Sequence, residues 1–233
     1  MTKMMTEIRS GPGPDCPVCR SPAAPPFVSV EGRDYRRCET CQARFLDSRQ
    51  RPASDAELAH YLHHENDPDD PAYRRFLSKL AGPLLERLNV SGAGGLSGLD
   101  YGCGPGPALA AMLREAGHAM ALYDPFFHDD PAALDQTYDF ITCTEVAEHF
   151  HRPADEFDRL GALLRPGGFL AVMTRFQTDD KKFAGWHYRR DPTHVVFYRQ
   201  ATLEWIAAAR GWSCEIPIKD VALMKKPSGE ATG

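Results

Sequence analysis

Cys16 and Cys19, and further along Cys38 and Cys41, form two C-x2-C pairs. In each pair a tight turn presents two sulfurs together, and four thiolates so arranged make a tetrahedral zinc site. Pro17 and the turn-rich Arg20-Ser21-Pro22 suit that knuckle geometry, and residues 27–30 and 35–37 read as strands of a small hairpin around Gly32. The reading is a zinc ribbon, with a redox pair or chance spacing as alternatives. Such a ribbon either only folds its own segment or also reads a substrate or partner. Cys103, Cys143 and Cys214 are scattered and read as small buried residues.

A second set combines carboxylates with imidazoles. Glu145, Glu148 and His149 follow a short apolar run, and a helix starting near Thr144 would put all three on one face. His194, in Asp191-Pro192-Thr193-His194, comes much later, in a segment able to enter the same cleft. Two carboxylates and two imidazoles form an oxygen and nitrogen site for Mg, Mn, Fe or Co. A metal there would chelate two adjacent oxygens of a substrate and lower the pKa of one hydroxyl. The same residues also permit a metal-free histidine base, or a structural role near a helix start. His151, just ahead of Pro153, has a weaker claim, and His60, His63 and His64 read as a solvated helix face, with a ligand set as the alternative.

The third set is a glycine turn. Leu99-Asp100-Tyr101-Gly102-Cys103-Gly104-Pro105-Gly106 sits where a strand gives way to a helix, and glycines there let the backbone approach a ligand. The G-x-G-x-G spacing followed by Pro107 departs from the dinucleotide fingerprint, and no Gly-Lys-Ser/Thr end marks a P-loop. Asp124 ends the next strand, where a carboxylate can accept both hydroxyls of a ribose.

A frame must hold these groups together. Residues 1–14 read as a disordered lead-in, 15–50 as the ribbon, 51–92 as a helical linker and 93–233 as the main domain. In the linker, Ser54-x-x-Glu57 predicts a capping box, and Tyr73, Phe76, Leu77, Leu80, Leu84 and Leu88 repeat on one face of a second helix. Pro83 is expected to kink that helix, and a joint follows from Ser91 to Gly95. From Leu96 onward short apolar runs alternate with helical stretches. The fold class is therefore α/β, Rossmann-like, with a mostly parallel sheet and a C-terminal antiparallel hairpin. Asp124 and Asp139 are too close in sequence for a regular helix, strand and loops, so the second crossover is abbreviated. Phe126 and Phe127 there could stack on an adenine or belong to the core.

With these residues in view, positions 96–225 resemble a class I S-adenosylmethionine-dependent methyltransferase. The glycine turn is similar to that family's first motif, Asp124 to its ribose-binding acid, and Leu163-Leu164-Arg165-Pro166-Gly167-Gly168 to its turn before the fifth strand. Residues 138–149 resemble the fourth motif of ubiquinone-pathway O-methyltransferases. The resemblance implies S-adenosylmethionine as cofactor, with Gly102, Gly104 and Gly106 packing on its methionine part and Asp100 anchoring its amino end. Glu145, Glu148 and His149 with the later His194 also resemble the metal site of small-RNA 3′-terminal 2′-O-methyltransferases. The expected activity is O-methylation of a small catechol- or diol-like hydroxyl assisted by Mg or Mn. The alternatives are RNA ribose 2′-O-methylation with the ribbon binding RNA, and a non-catalytic adaptor.

Composition narrows the partners. The chain is 42% hydrophobic and 25% charged, with a net charge of −5 and a pI near 6.0. That is ordinary globular composition, with no overall field for nucleic acid or anionic membrane. No apolar run approaches the roughly 20 residues of a membrane span, and residues 1–14 lack the apolar core of a secretory signal, so a cytoplasmic protein is expected. Two local features keep RNA in view. Segment 16–51 carries seven arginines against Glu31, Asp34, Glu39 and Asp47, and an insert at 176–190 interleaves Phe183, Trp186, His187 and Tyr188 with Lys181, Lys182, Arg189 and Arg190, although a lid packing on its own core explains the aromatics equally well.

Overall fold

The computed structural model describes residues 13–63, 66–90 and 95–229. Most of the expected lead-in, His64 and positions 91–94 of the expected joint lie outside the described residues.

The hairpin expected around Gly32 forms. β1 (Pro26–Val30) and β2 (Arg33–Arg37) pair antiparallel, and β3 (Arg44–Leu46) adds to β2. The linker follows as α1 (Ser54–Tyr61) and α2 (Pro71–Val90). The capping box does not form: Ala53 is the N-cap, Ser54 already lies inside the helix, and Glu57 instead meets His151 Nε2 at 3.0 Å. α2 starts at Pro71, and Asp70 accepts from the N–H groups of Ala72 and Tyr73 at 2.9 and 3.3 Å. The helix runs on through Pro83. Its stripe of Leu77, Leu80, Leu84 and Leu88 is buried, each side chain contributing about 1.5–3 kcal/mol.

That stripe packs on α3 (Ala108–Glu115) and on one face of a six-stranded sheet. The sheet is built from β4 (Ser97–Tyr101), β5 (Ala119–Tyr123), β6 (Tyr138–Thr144) and β7 (Leu164–Met173), all parallel, with α4 (Pro153–Leu163) leading into β7. Between β5 and β6 the chain makes only a 3-10 turn, Pro131–Leu134, which leaves β5 at the edge. After a short β8 (Val196–Phe197) and α5 (Gln200–Ala208), β9 (Ser213–Ile218) and β10 (Val221–Lys225) form the expected antiparallel hairpin beside β7. The strand order is β5-β4-β6-β7-β10-β9.

β8 does not join this sheet. It pairs antiparallel with β3, so the ribbon takes its fourth strand from the segment just after His194. Val195 links both sides: its carbonyl accepts from Leu46 N–H at 2.8 Å, and its own N–H donates to Glu148 O at 2.9 Å. The insert before β8 completes the joint. Phe183 is buried among Phe27, Tyr35 and Phe197, and Arg44 donates to both carboxylate oxygens of Asp180 at 2.9 and 2.8 Å. Its aromatic side chains are therefore spent largely on packing, while Lys181, Lys182, His187 and Arg190 remain exposed.

Candidate active site

β4 ends in Asp100 and Tyr101, and the chain reverses through the glycine turn into α3. Gly102 has φ +76°, and an added Cβ would lie 2.5 Å from the Val146 side chain, so conformation and space both require glycine. At Gly106 a Cβ would meet the backbone oxygen of Asn66 at 1.7 Å, so the segment after α1 lies directly over the turn. Asp100 is buried and accepts from Thr142 Oγ1 at 2.7 Å; burial pushes its carboxyl up to about 6 against the pull of that bond. Asp124, at the end of β5, accepts from Gly104 N–H at 3.0 Å with one oxygen. The other oxygen accepts from Phe126 and Phe127 N–H at 2.9 and 3.2 Å. This carboxylate ties the glycine turn to the loop after β5.

β6 delivers the second set, with a correction to the expected geometry. No helix starts at Thr144. Glu145 has φ +53°, and only a 3-10 turn follows at Ala147–His149, so Glu145, Glu148 and His149 do not share a helical face. The ligand atoms of Glu148, His149 and His194 lie within 4.8 Å of one another, and Glu145 stands outside that group. Glu148 is fully buried; its Oε1 accepts from the Tyr188 hydroxyl, and its Oε2 has no hydrogen-bond partner among the described residues. His149 Nδ1 lies 3.2 Å from Thr193 O and His194 Nδ1 lies 2.7 Å from Tyr188 O. A carbonyl only accepts, so each Nδ1 carries a proton, and in the neutral ring that is the tautomer which second-sphere partners impose on metal-binding histidines. Burial, reinforced at Glu148 by the neighbouring Glu145 charge, pushes both carboxyls well above the usual range. An orphaned buried oxygen beside two oriented imidazoles fits a divalent cation.

Both sets face one cavity of about 760 Å³. Asp100, Gly102, Gly104 and Asp124 line it, as do Glu145, Glu148, His149 and His194, while Gly106 lies under Asn66. Tyr61, Tyr73, Phe126 and Phe127 add aromatic walls, and Tyr61 meets His149 edge-on and Phe126 at a tilt, each with centroids 5.4 Å apart. Its size is that of a small-molecule site.

Two features around the cavity escaped the sequence reading. His60 is not simply a solvated residue, since its Nε2 lies 3.1 Å from Asp191 Oδ2. The same oxygen is 3.8 Å from His194 Nε2. Tyr188 is buried and holds the Glu148 carboxylate. The signal available was its position six residues before His194 in an aromatic insert, which packing explained equally well.

At the ribbon, the four sulfurs of Cys16, Cys19, Cys38 and Cys41 also lie within 4.8 Å of one another. Cys16 Sγ is 3.7 Å from Cys41 Sγ, and Cys19 Sγ is 3.4 Å from Cys38 Sγ. A zinc tetrahedron with Zn–S of about 2.3 Å has edges of about 3.8 Å, so the donor set fits zinc. The ribbon's arginines are engaged within the protein. Arg20 binds Asp155 and Asp158, Arg33 the carbonyls of Asp191 and Pro192, Arg36 and Arg49 Asp47, Arg37 Glu39, and Arg51 the carbonyl of His151. Arg44 is taken by Asp180.

Residues 61–215 match the Methyltransferase domain family, and the chain belongs to it. Among curated proteins, it is 31% identical over 93 residues to the ubiquinone biosynthesis O-methyltransferase of Vibrio vulnificus (strain YJ016), covering 40% of this chain and 39% of that one. That of Sodalis glossinidius is 30% identical over 96 residues, covering 40% and 38%. The matched part thus spans about two-fifths of these relatives' length. Among solved structures, magnesium protoporphyrin IX methyltransferase from Synechocystis aligns with a TM-score of 0.49 at 14% identity, covering 75% of this chain and 95% of that one.

Proposed function

We propose that the protein is an S-adenosylmethionine-dependent methyltransferase acting on a hydroxyl of a small molecule with two adjacent oxygens, assisted by a divalent metal such as Mg or Mn. The observation that carries this reading is the single cavity lined both by Asp100, the glycine turn and Asp124 and by Glu148, His149 and His194. The curated relatives' name, ubiquinone biosynthesis O-methyltransferase, supports transfer to oxygen.

In this reading S-adenosylmethionine supplies an electrophilic methyl group, and a bound cation supplies Lewis acidity toward the acceptor oxygens. Asp100 would anchor the amino end of the cofactor, Gly102 and Gly104 would let the backbone close on its methionine part, and the Asp124 oxygen that already takes the Gly104 N–H would accept from its ribose. Glu148, His149 and His194 would hold the cation. Transfer of that methyl to oxygen would require the acceptor hydroxyl to give up its proton. Glu145, a cavity carboxylate outside the metal group, is the acceptor for that proton. Orientation of the two reactants in one enclosure supplies much of the acceleration. The four cysteines hold structural zinc, and a tetrathiolate site suits a reducing compartment such as the cytoplasm. No described helix is long and apolar enough to cross a membrane.

The ribbon arginines that kept the RNA alternative in view have partners within the chain, whereas Lys181, Lys182 and Arg190 of the insert are exposed, so RNA belongs in the test. Methyl transfer from labelled S-adenosylmethionine should be screened against catechols, vicinal diols and small RNA, with chelator and with Mg or Mn restored. Label in a diol or catechol, lost in chelator and regained with Mg or Mn, is the expected result. Label confined to RNA would overturn the small-molecule assignment, and full turnover in chelator would overturn the metal.

A further inference from the structure

Tyr188 comes from the insert between β7 and β8, and its hydroxyl is crowded with partners. The Arg175 N–H donates to it at 3.4 Å, and Thr174 Oγ1 lies 3.2 Å away. The Glu148 carboxylate accepts from it, and Glu145 Oε2 lies at 3.3 Å. A phenol has one proton to give and two lone pairs to fill. With the Arg175 N–H and the Thr174 hydroxyl on the lone pairs, the single proton goes to the nearer acceptor, Glu148 Oε1. Glu148 is thereby fixed by one oxygen, and Oε2 is the atom left without a partner among the described residues.

The rest of Tyr188 acts on His194. Its ring lies 4.2 Å, centroid to centroid, from the His194 imidazole, and its carbonyl receives the Nδ1 proton of that imidazole at 2.7 Å. Trp186 backs the ring at 5.1 Å, and the Arg175 guanidinium stands 5.9 Å above it. One residue therefore sets the rotation of a carboxylate and of an imidazole whose ligand atoms belong to the same group. We infer that Tyr188 is the positioning residue of the Glu148–His149–His194 centre, orienting Glu148 through its hydroxyl and His194 through its ring and carbonyl. This rests on the metal reading above.

Removing such an outer partner costs about 10–100-fold in metal affinity. The experiment compares the zinc-loaded protein with Tyr188→Phe, which keeps ring and carbonyl and removes the hydroxyl. Manganese dissociation constants are read from the loss of the free-ion resonance, and S-adenosylhomocysteine affinity by calorimetry. The expected result is a 10–100-fold weaker manganese affinity with homocysteine-conjugate binding unchanged within about twofold. Equal manganese affinity in the two proteins would overturn the role of Tyr188 while leaving the metal centre standing. No manganese binding by the unaltered protein would overturn the metal reading and this inference with it. Should Tyr188→Phe lose S-adenosylhomocysteine binding, Thr174→Val carries the same test. It removes one of the hydroxyl's other hydrogen-bonding partners, and unchanged manganese affinity there would count against the inference.

Discussion

Gly102→Ala probes the turn that joins the two halves of the cavity. Two costs combine. The backbone at φ +76° penalises a side chain by about 1–2 kcal/mol. The new Cβ would also stand 2.5 and 2.6 Å from the two methyl groups of Val146, an overlap that costs about 1–3 kcal/mol. The loss of stability should therefore be about 2–5 kcal/mol. Val146→Ala alone should cost about 1–2 kcal/mol, since Val146 is only half-buried. The double variant separates the terms: removing the methyl groups relieves most of the overlap, though the Val146 Cβ at 3.1 Å stays close, and the backbone cost remains. The double variant should thus be about 1–2 kcal/mol more stable than the sum of the singles predicts. Urea unfolding measures all four proteins, and calorimetry with S-adenosylhomocysteine reports the turn. Strict additivity, or a single Gly102→Ala cost below about 1 kcal/mol, would refute the argument.

Asp124→Ala should weaken S-adenosylhomocysteine binding by tenfold or more in calorimetry, because it removes the proposed ribose acceptor and the group that ties Gly104 to Phe126 and Phe127. Asp47 is held well below the usual carboxylate range by Arg49 and, against its burial, by Arg36. Its stabilisation is therefore present at neutral pH and lost as the pH falls below about 4, where the unfolded chain takes up the proton first. Asp47→Ala should cost about 3 kcal/mol or more at pH 7 and flatten the fall of Tm below about pH 4. Metal analysis of purified protein should find one zinc per chain, and Cys38→Ser should lose it. Because β3 carries β8, that variant should also lower manganese affinity at a site outside the ribbon.

The fold was legible because its signals are local. Glycines and a strand-end acid mark the first turn, the leucine stripe marks α2, and the short distance from Asp124 to Asp139 foretold the missing crossover. The pairing of β3 with β8 was not legible, since two residues, Val196 and Phe197, carry no strand pattern and their partner lies some 150 positions away. The candidate site divides in the same way. The residue types at 145, 148, 149 and 194 could be read, but their arrangement depends on the left-handed turn at Glu145, where the side chain gives no signal that glycine would. Ser54 and Glu57 show the opposite error: a sequence pattern for a cap was present, and the pull of His151 on Glu57 gave it another use.

The central claim is that one cavity holds both the methyl donor and a divalent metal on Glu148, His149 and His194. Crystals grown with S-adenosylhomocysteine and manganese, measured on both sides of the manganese absorption edge, test it directly. The account predicts an anomalous peak within coordination distance of those three side chains, in the same cavity as the homocysteine conjugate and apart from the cysteine site. Full occupancy of that conjugate with no manganese peak at the three residues would contradict it.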